Sequence, residues 1–217
     1  MTTITSELLE RARRFPVATL HEAAGRAGAL PASIKPVDPD FRVCGRAYPL
    51  QCLPGHNLRL HHALLTAAPG DVLVADVGEG MEYGYWGEIL SAAAKAKGLG
   101  GLVIHGCVRD RVELTQSGFP VFATGLCVRG TGKTPGGSVG EPVRVGDVQV
   151  APGDLVVGDV DGVIVLPAQS TEQVVQAAGA REAAEAEILA RIARGEDTVT
   201  IYGFPPPEEL PLNGAAR

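Results

Sequence analysis

Arg109 and Asp110 stand side by side after an apolar run, and no other pair in the chain is better equipped for chemistry. Arg presents a planar fork that meets a carboxylate through two hydrogen bonds. Asp supplies a hard oxygen that suits Mg²⁺ or Mn²⁺. Together they can hold the two halves of an α-keto acid, the carboxylate on Arg109 and a metal-bound keto oxygen near Asp110. The plainer reading is a surface ion pair in a loop. Glu88 lies one residue past Gly87, at a helix start. There it complements the helix dipole, or orients a metal-bound water. The free N–H groups of Ile89 and Leu90 in the same turn can bind an anion, and Gly84 and Gly87 let a ligand approach. Glu113, three residues after Asp110, can share its helical face. Asn57 and His61 are four apart and point the same way, although Asn57 also reads as a plain helix cap. Lys133 sits in a glycine-rich loop, where a carboxylate could meet it.

The elements that must position these groups follow from spacing. Glu88 to Lys97 reads as a helix stopped by Gly98, Gly100 and Gly101. Leu102 to Ile104 reads as a buried strand with Arg109–Asp110 beyond its carboxyl end, where open α/β sheets usually bind ligands. Before it come a helix over 4–14, a helix entered through the capping-box pattern Thr19-x-x-Glu22 and running to about Arg26, and a proline-rich loop over 29–40. A strand over 42–52, a helix over 57–67 and a strand over 71–77 follow. After it come a strand over 120–123, a loop over 125–140, short strands over 142–150 and 155–166 with turn signals at 152–154 and 159–162, and a helix over 171–194. The tail, with Pro205, Pro206 and Pro207, shows no helix or strand pattern.

Composition narrows the classes. The chain of 217 residues is 45% hydrophobic and 20% charged, with a net charge of -6. That disfavours a nucleic-acid surface, and an anionic substrate would need local cations. No apolar run is long enough to span a membrane, so no membrane partner is expected. The N-terminal segment is a charged amphipathic helix rather than a signal peptide. Cys44, Cys52, Cys107 and Cys127 form no C-x-x-C pair, which argues against zinc and for reduced thiols in a cytoplasmic protein.

Several motifs together resemble the RraA-like superfamily, and within it the class II pyruvate aldolases that cleave 4-hydroxy-4-methyl-2-oxoglutarate or 4-carboxy-4-hydroxy-2-oxoadipate. They are T-x-x-E-A-x-G-R at Thr19 to Arg26, P-G-x-N-L-x-x-H at Pro54 to His61, P-G-D-V-L-V at Pro69 to Val74, Y-W-G-E at Tyr85 to Glu88 and G-x-V-R-D at Gly106 to Asp110. P-G-D-L-V-V-G-D-x-D-G-V follows at Pro152 to Val163. The resemblance implies a single α/β domain over 1–203, related to the swivelling β/β/α fold with mixed sheets flanked by helices, and a Pro-rich tail over 204–217. It implies a divalent-metal lyase releasing pyruvate from 4-hydroxy-2-oxo acids, with oxaloacetate decarboxylation as a side activity. Asp110 would bind the metal directly, and Glu88 would hold a metal-bound water. Arg109, Gly87 and the amides of Ile89 and Leu90 would hold substrate, with Asn57, His61 and Lys133 lining the pocket. Trimers or hexamers are implied, with Glu22 reaching the site from a neighbouring subunit and Glu185 or Glu187 as a further acid. Three positions depart from the family pattern, where Asp is usual: His105, Glu88 and His56. The rival readings are an RraA-type protein that binds ribonuclease E without catalysis, and an aldolase scaffold turned to another keto acid.

Overall fold

The computed structural model describes residues 3–206. Its elements, in chain order, are α1 (Ser6–Ala12), α2 (Val17–Ala23), β1 (Lys35–Pro36), β2 (Val43–Cys52), α3 (Leu58–Thr66), β3 (Asp71–Asp76), α4 (Glu88–Ala96), β4 (Gly101–Val108) and α5 (Arg111–Ser117). Then follow β5 (Val121–Leu126), β6 (Gly137–Val139), β7 (Val143–Val145), β8 (Val148–Val150), β9 (Leu155–Asp159), β10 (Gly162–Leu166), α6 (Thr171–Ala193) and α7 (Thr198–Tyr202). By internal contacts the chain separates into two units, one up to Ala178 and one from Gly179 on, with the division inside α6. The proline-rich tail lies outside the described residues from position 207 onward.

The first unit is a mixed α/β sheet flanked by helices, in strand order β1-β5-β4-β3-β2-β9-β10. β2, β3, β4 and β5 run parallel and are joined in turn by α3, α4 and α5. Strands covered by helices need apolar side chains on both faces, and β3 and β4 read that way. β2 is long enough to take two antiparallel partners on one edge. β9 pairs along Val43 to Arg46, and β6 along Leu50 to Cys52. The two outer edges are bridged by one stretch of chain. The Leu30 amide donates to Val163 O on β10 and the Val165 amide to Gly28 O, while Lys35 and Pro36 pair with β5. Gly28 is required there: its φ is 86°, and a Cβ would overlap the Val165 carbonyl. The sheet is therefore nearly closed, with its edges covered.

Three sequence readings need correction. Thr19 does not cap α2. It is buried inside a helix that begins at Val17, and the Val17 amide donates instead to Asp159 Oδ2 at 3.0 Å across the fold. A carboxylate from β9 thus does the work expected of a local hydroxyl. The run 142–150 is not one strand, because Gly146, at φ 59°, turns it into the β7–β8 hairpin. The loop over 125–140 contains β6. Ahead of the tail the chain adds α7, capped by Asp197 Oδ1 accepting from the Thr200 amide.

Candidate active site

The parallel strands bring their carboxyl ends to one edge, and the loops that leave them converge there. The loop entering α4 is anchored from below by two of the largest buried side chains, Tyr85 and Trp86. Trp86 stacks on Phe119 at 6.1 Å between centroids and donates its Nε1–H to Ser91 Oγ at 2.6 Å. Tyr85 Oη accepts from the Gly55 amide at 2.7 Å and donates to Gly80 O at 2.6 Å. Two adjacent aromatics therefore fix Gly87 and the start of α4 against the core and against the 53–57 turn. Truncating a buried aromatic of this kind costs about 3–5 kcal/mol.

β4 ends at Val108, and the Arg109 amide donates to Trp86 O at 2.9 Å. Asp110 then takes left-handed backbone angles, φ 58° and ψ 45°. Outside glycine that conformation is uncommon, and Asp and Asn tolerate it best. It turns the Asp110 side chain away from its own helix, α5, which receives no side-chain cap from it. The carboxylate reaches the N-terminus of α4 instead, where Oδ2 accepts from the Glu88 amide at 3.1 Å. Arg109 Nε lies 3.7 Å from the same oxygen, too far for a good hydrogen bond, and both side chains are partly exposed. The ion pair expected as the plain alternative is thus present but loose, and Asp110 is held chiefly by the helix.

Above them lies a cleft of about 270 Å³, near the lower end for small-molecule sites. Asn57, His61, Gly84, Tyr85, Trp86, Gly87, Ile89, Leu90, Arg109, Asp110, Gly130, Thr131 and Lys133 line it. The amides of Ile89 and Leu90 belong to the first turn of α4, where no intrahelical acceptor exists, so they are suited to an anion. Asn57 does not cap α3. Its buried side chain donates from Nδ2 to Tyr85 O at 2.7 Å and accepts Lys133 Nζ on Oδ1 at 2.5 Å. His61 keeps a proton less readily than a free imidazole, because burial and then Lys133 and His62 disfavour the charged ring. The positive charge in the cleft therefore rests on Arg109 and Lys133.

Gly87, Ile89, Leu90, Asn57, His61, Lys133, Arg109 and Asp110 thus meet in one cleft. Glu88 contributes its amide to Asp110, while its side chain is exposed and does not line the cleft. Glu22 does not line it either; its carboxylate lies 3.2 Å from Arg26 Nε. Glu113 is exposed in the first turn of α5. Glu185 and Glu187 belong to the second unit, where they pair with Arg181 and Arg194. His105, on β4, shares a hydrogen bond with Asp76 at 3.0 Å. Sequence reasoning missed Tyr85, Trp86 and Thr131 as wall and floor. The Tyr-Trp pair before Gly87 was the available signal.

Residues 5–165 match the model of the RraA-like family, described as Aldolase/RraA. The chain belongs to the RraA-like family. A Halalkalibacterium halodurans protein, provisionally named a 4-hydroxy-4-methyl-2-oxoglutarate aldolase, is 33% identical over 82% of this RraA-like chain and 84% of its own. The Thermus thermophilus 4-hydroxy-4-methyl-2-oxoglutarate aldolase is 32% identical, covering 64% of this chain and 84% of its own. Among solved structures, Streptomyces coelicolor RraAS2, described as an unusual member of the RNase ES inhibitor RraA family, matches with a TM-score of 0.77 and 31% identity. That match covers 86% of this chain and 98% of the other. The RraA-like fold is thus shared by proteins named for lyase chemistry and for ribonuclease inhibition. Among the described residues no helix is long and apolar enough to cross a membrane.

Proposed function

We propose that this chain is a divalent-metal-dependent lyase that cleaves 4-hydroxy-2-oxo acids to pyruvate and a second keto acid, with oxaloacetate decarboxylation as a side activity. The observation that carries this reading is the left-handed Asp110, whose carboxylate is turned out of its own helix into a cleft that also holds Arg109, Lys133 and the first turn of α4. Strain of this kind at a functional carboxylate is retained where geometry matters. The names of the aldolase relatives support the choice of chemistry.

The residues fit a hard cation. Among the described residues no group of three or more His, Cys, Asp or Glu is arranged to hold a metal ion. Asp110 would therefore hold the ion with water completing its shell, with Glu88 as a candidate for orienting such a water. Mg²⁺ is commonly bound in this way, through one or two carboxylates. A bound Mg²⁺ or Mn²⁺ would supply Lewis-acid polarisation of the keto group. The α4 amides of Ile89 and Leu90 would take the pyruvate carboxylate. When the C3–C4 bond breaks, the C4 hydroxyl gives its proton to a water, C4 becomes the carbonyl of the second keto acid, and the electron pair of the broken bond remains on the pyruvate half as an enolate. Arg109 donates to the oxygens where that charge grows. Lys133, aimed by Asn57, faces the remaining carboxylate. Loss of CO₂ from oxaloacetate leaves the same enolate.

The rim supports an oligomer with shared sites, a trimer or hexamer in which Glu22 serves a neighbour. Ile89, Leu126 and Val128 surround Arg109 and Asp110 and are 80%, 51% and 91% exposed. Apolar residues clustered at a rim mark a contact surface. The ribonuclease-inhibitor reading has the support of the Streptomyces coelicolor neighbour, but it gives the Asp110 geometry no task. The test is pyruvate release from several 4-hydroxy-2-oxo acids and oxaloacetate, with Mg²⁺, with Mn²⁺ and after chelation. Metal-dependent release from at least one acid is expected. No release from any of them under any condition overturns the proposal.

A further inference from the structure

The segment that delivers Lys133 to the cleft has no helix or strand around it, so something must hold it. Backbone contacts fix its entry: the Gly132 amide donates to Gly55 O at 2.8 Å, and the Asn57 amide to Gly132 O at 3.2 Å. Beyond Lys133 the hold comes from two side chains: Arg59 Nε donates to Gly136 O at 2.9 Å, and His56 holds the residue next to Lys133. The Thr134 amide donates to His56 Nδ1 at 3.0 Å. The ring is seated against the loop so closely that a Cβ at Gly132 would overlap it. Lys133 is thus bracketed by Gly132 and Thr134, both held by the 55–57 turn.

We infer that His56 is a positioning residue that sets Lys133 against substrate, and that it does so only as the neutral tautomer carrying its proton on Nε2. An imidazole nitrogen accepts a hydrogen bond only when unprotonated. A second proton would put a donor on Nδ1 facing the donor of Thr134. The contact then becomes repulsive, the loop beyond Lys133 is released, and Lys133 leaves the Asn57 oxygen. The charged or titratable groups on the elements packed around this turn include Lys133 itself, Arg59, His61 and His62 on α3, Tyr85, whose Oη accepts from the Gly55 amide, and Tyr83 beside Gly55 with Arg129 over its ring. None is a carboxylate that could accept from an imidazolium and keep the loop in place. This inference rests on the proposed lyase reading for its kinetic arm only; its structural arm does not need it.

The experiment compares wild type, His56→Ala and His56→Asn. Asn places an oxygen near the position of Nδ1 and does not titrate. Amide exchange over residues 130–136 is read at neutral and mildly acidic pH, after correction for intrinsic exchange, alongside KM and kcat for pyruvate release. One hydrogen bond of this kind corresponds to roughly a three- to tenfold effect. We expect His56→Ala to raise exchange and KM by about that factor while kcat changes less. Wild type should show a rise in loop exchange on acidification, and His56→Asn should restore both quantities and remove that rise. Unchanged loop exchange in His56→Ala, or an Asn variant as loose as Ala, overturns the inference. Absence of pyruvate release from wild type with a normal exchange pattern would count against the lyase reading alone.

Discussion

Gly87 stands where any side chain would strike the carboxylate of Asp110: a Cβ built on it overlaps Oδ2. Its φ of -164° is extended backbone that any residue adopts, so the constraint is space and not conformation. Gly87→Ala should leave the melting temperature nearly unchanged, because the displaced atom ends a short side chain. Activity should fall by about 100-fold or more, since a misplacement of about 1 Å can cost that much. Steady-state kinetics with a thermal melt checks it. A fully active variant would show that Asp110 need not hold this position.

Asp110 itself separates charge from conformation. Asn adopts left-handed angles almost as readily as Asp, whereas Ala is strained there by roughly 1 kcal/mol. Both variants should lose metal-dependent turnover. Only Asp110→Ala should also melt lower, by about 2–4 °C for a chain of this size. Equal melting temperatures for the two would mean that the backbone relaxes. Retained turnover after chelation of the parent would remove Asp110 from metal binding.

Arg109→Lys keeps the charge and loses the planar two-point fork. A lost hydrogen bond to developing charge costs about 2.7–4 kcal/mol, so kcat should drop roughly 100- to 1000-fold with the fold intact. If Arg109 serves only the loose 3.7 Å pair with Asp110, Lys should serve as well. A kcat within about twofold of the parent decides for that plainer role.

His61 links the cleft to stability. Burial, then Lys133 and His62, lowers its pKa below the ordinary 6.5 in the folded chain. The unfolded chain therefore takes the proton first. The contribution to stability is complete above the ordinary value and is lost as pH falls from there through the lowered folded-state value. The denaturation midpoint should decline on acidification through that window, and less steeply in His61→Gln. Parallel declines for the two proteins would assign the effect elsewhere. Removing Lys133, the second cause of the shift, should partly restore the His61 pKa, measurable by titration of the ring.

Much of the fold was legible because each layer leaves a local trace. Parallel strands covered on both faces must be apolar throughout, so β3 and β4 stood out as buried runs, and glycine marked the end of α4. The position of Arg109–Asp110 beyond β4 followed from the same pattern, as did Gly87 and the first turn of α4. Local sequence also carried the motifs that place the chain in its family. Tertiary structure decided what side chains with several possible partners would do. Thr19 and Asn57 are both good local caps, yet Thr19 is buried within α2 while Asp159 accepts from the helix start, and Asn57 turns inward to Tyr85 and Lys133. The left-handed turn at Asp110 and its reach to the α4 amide likewise depend on two strand-ends meeting. A hydrogen-bonding side chain chooses among acceptors and donors by distance in space, and sequence spacing records that distance only within a helical turn or a hairpin.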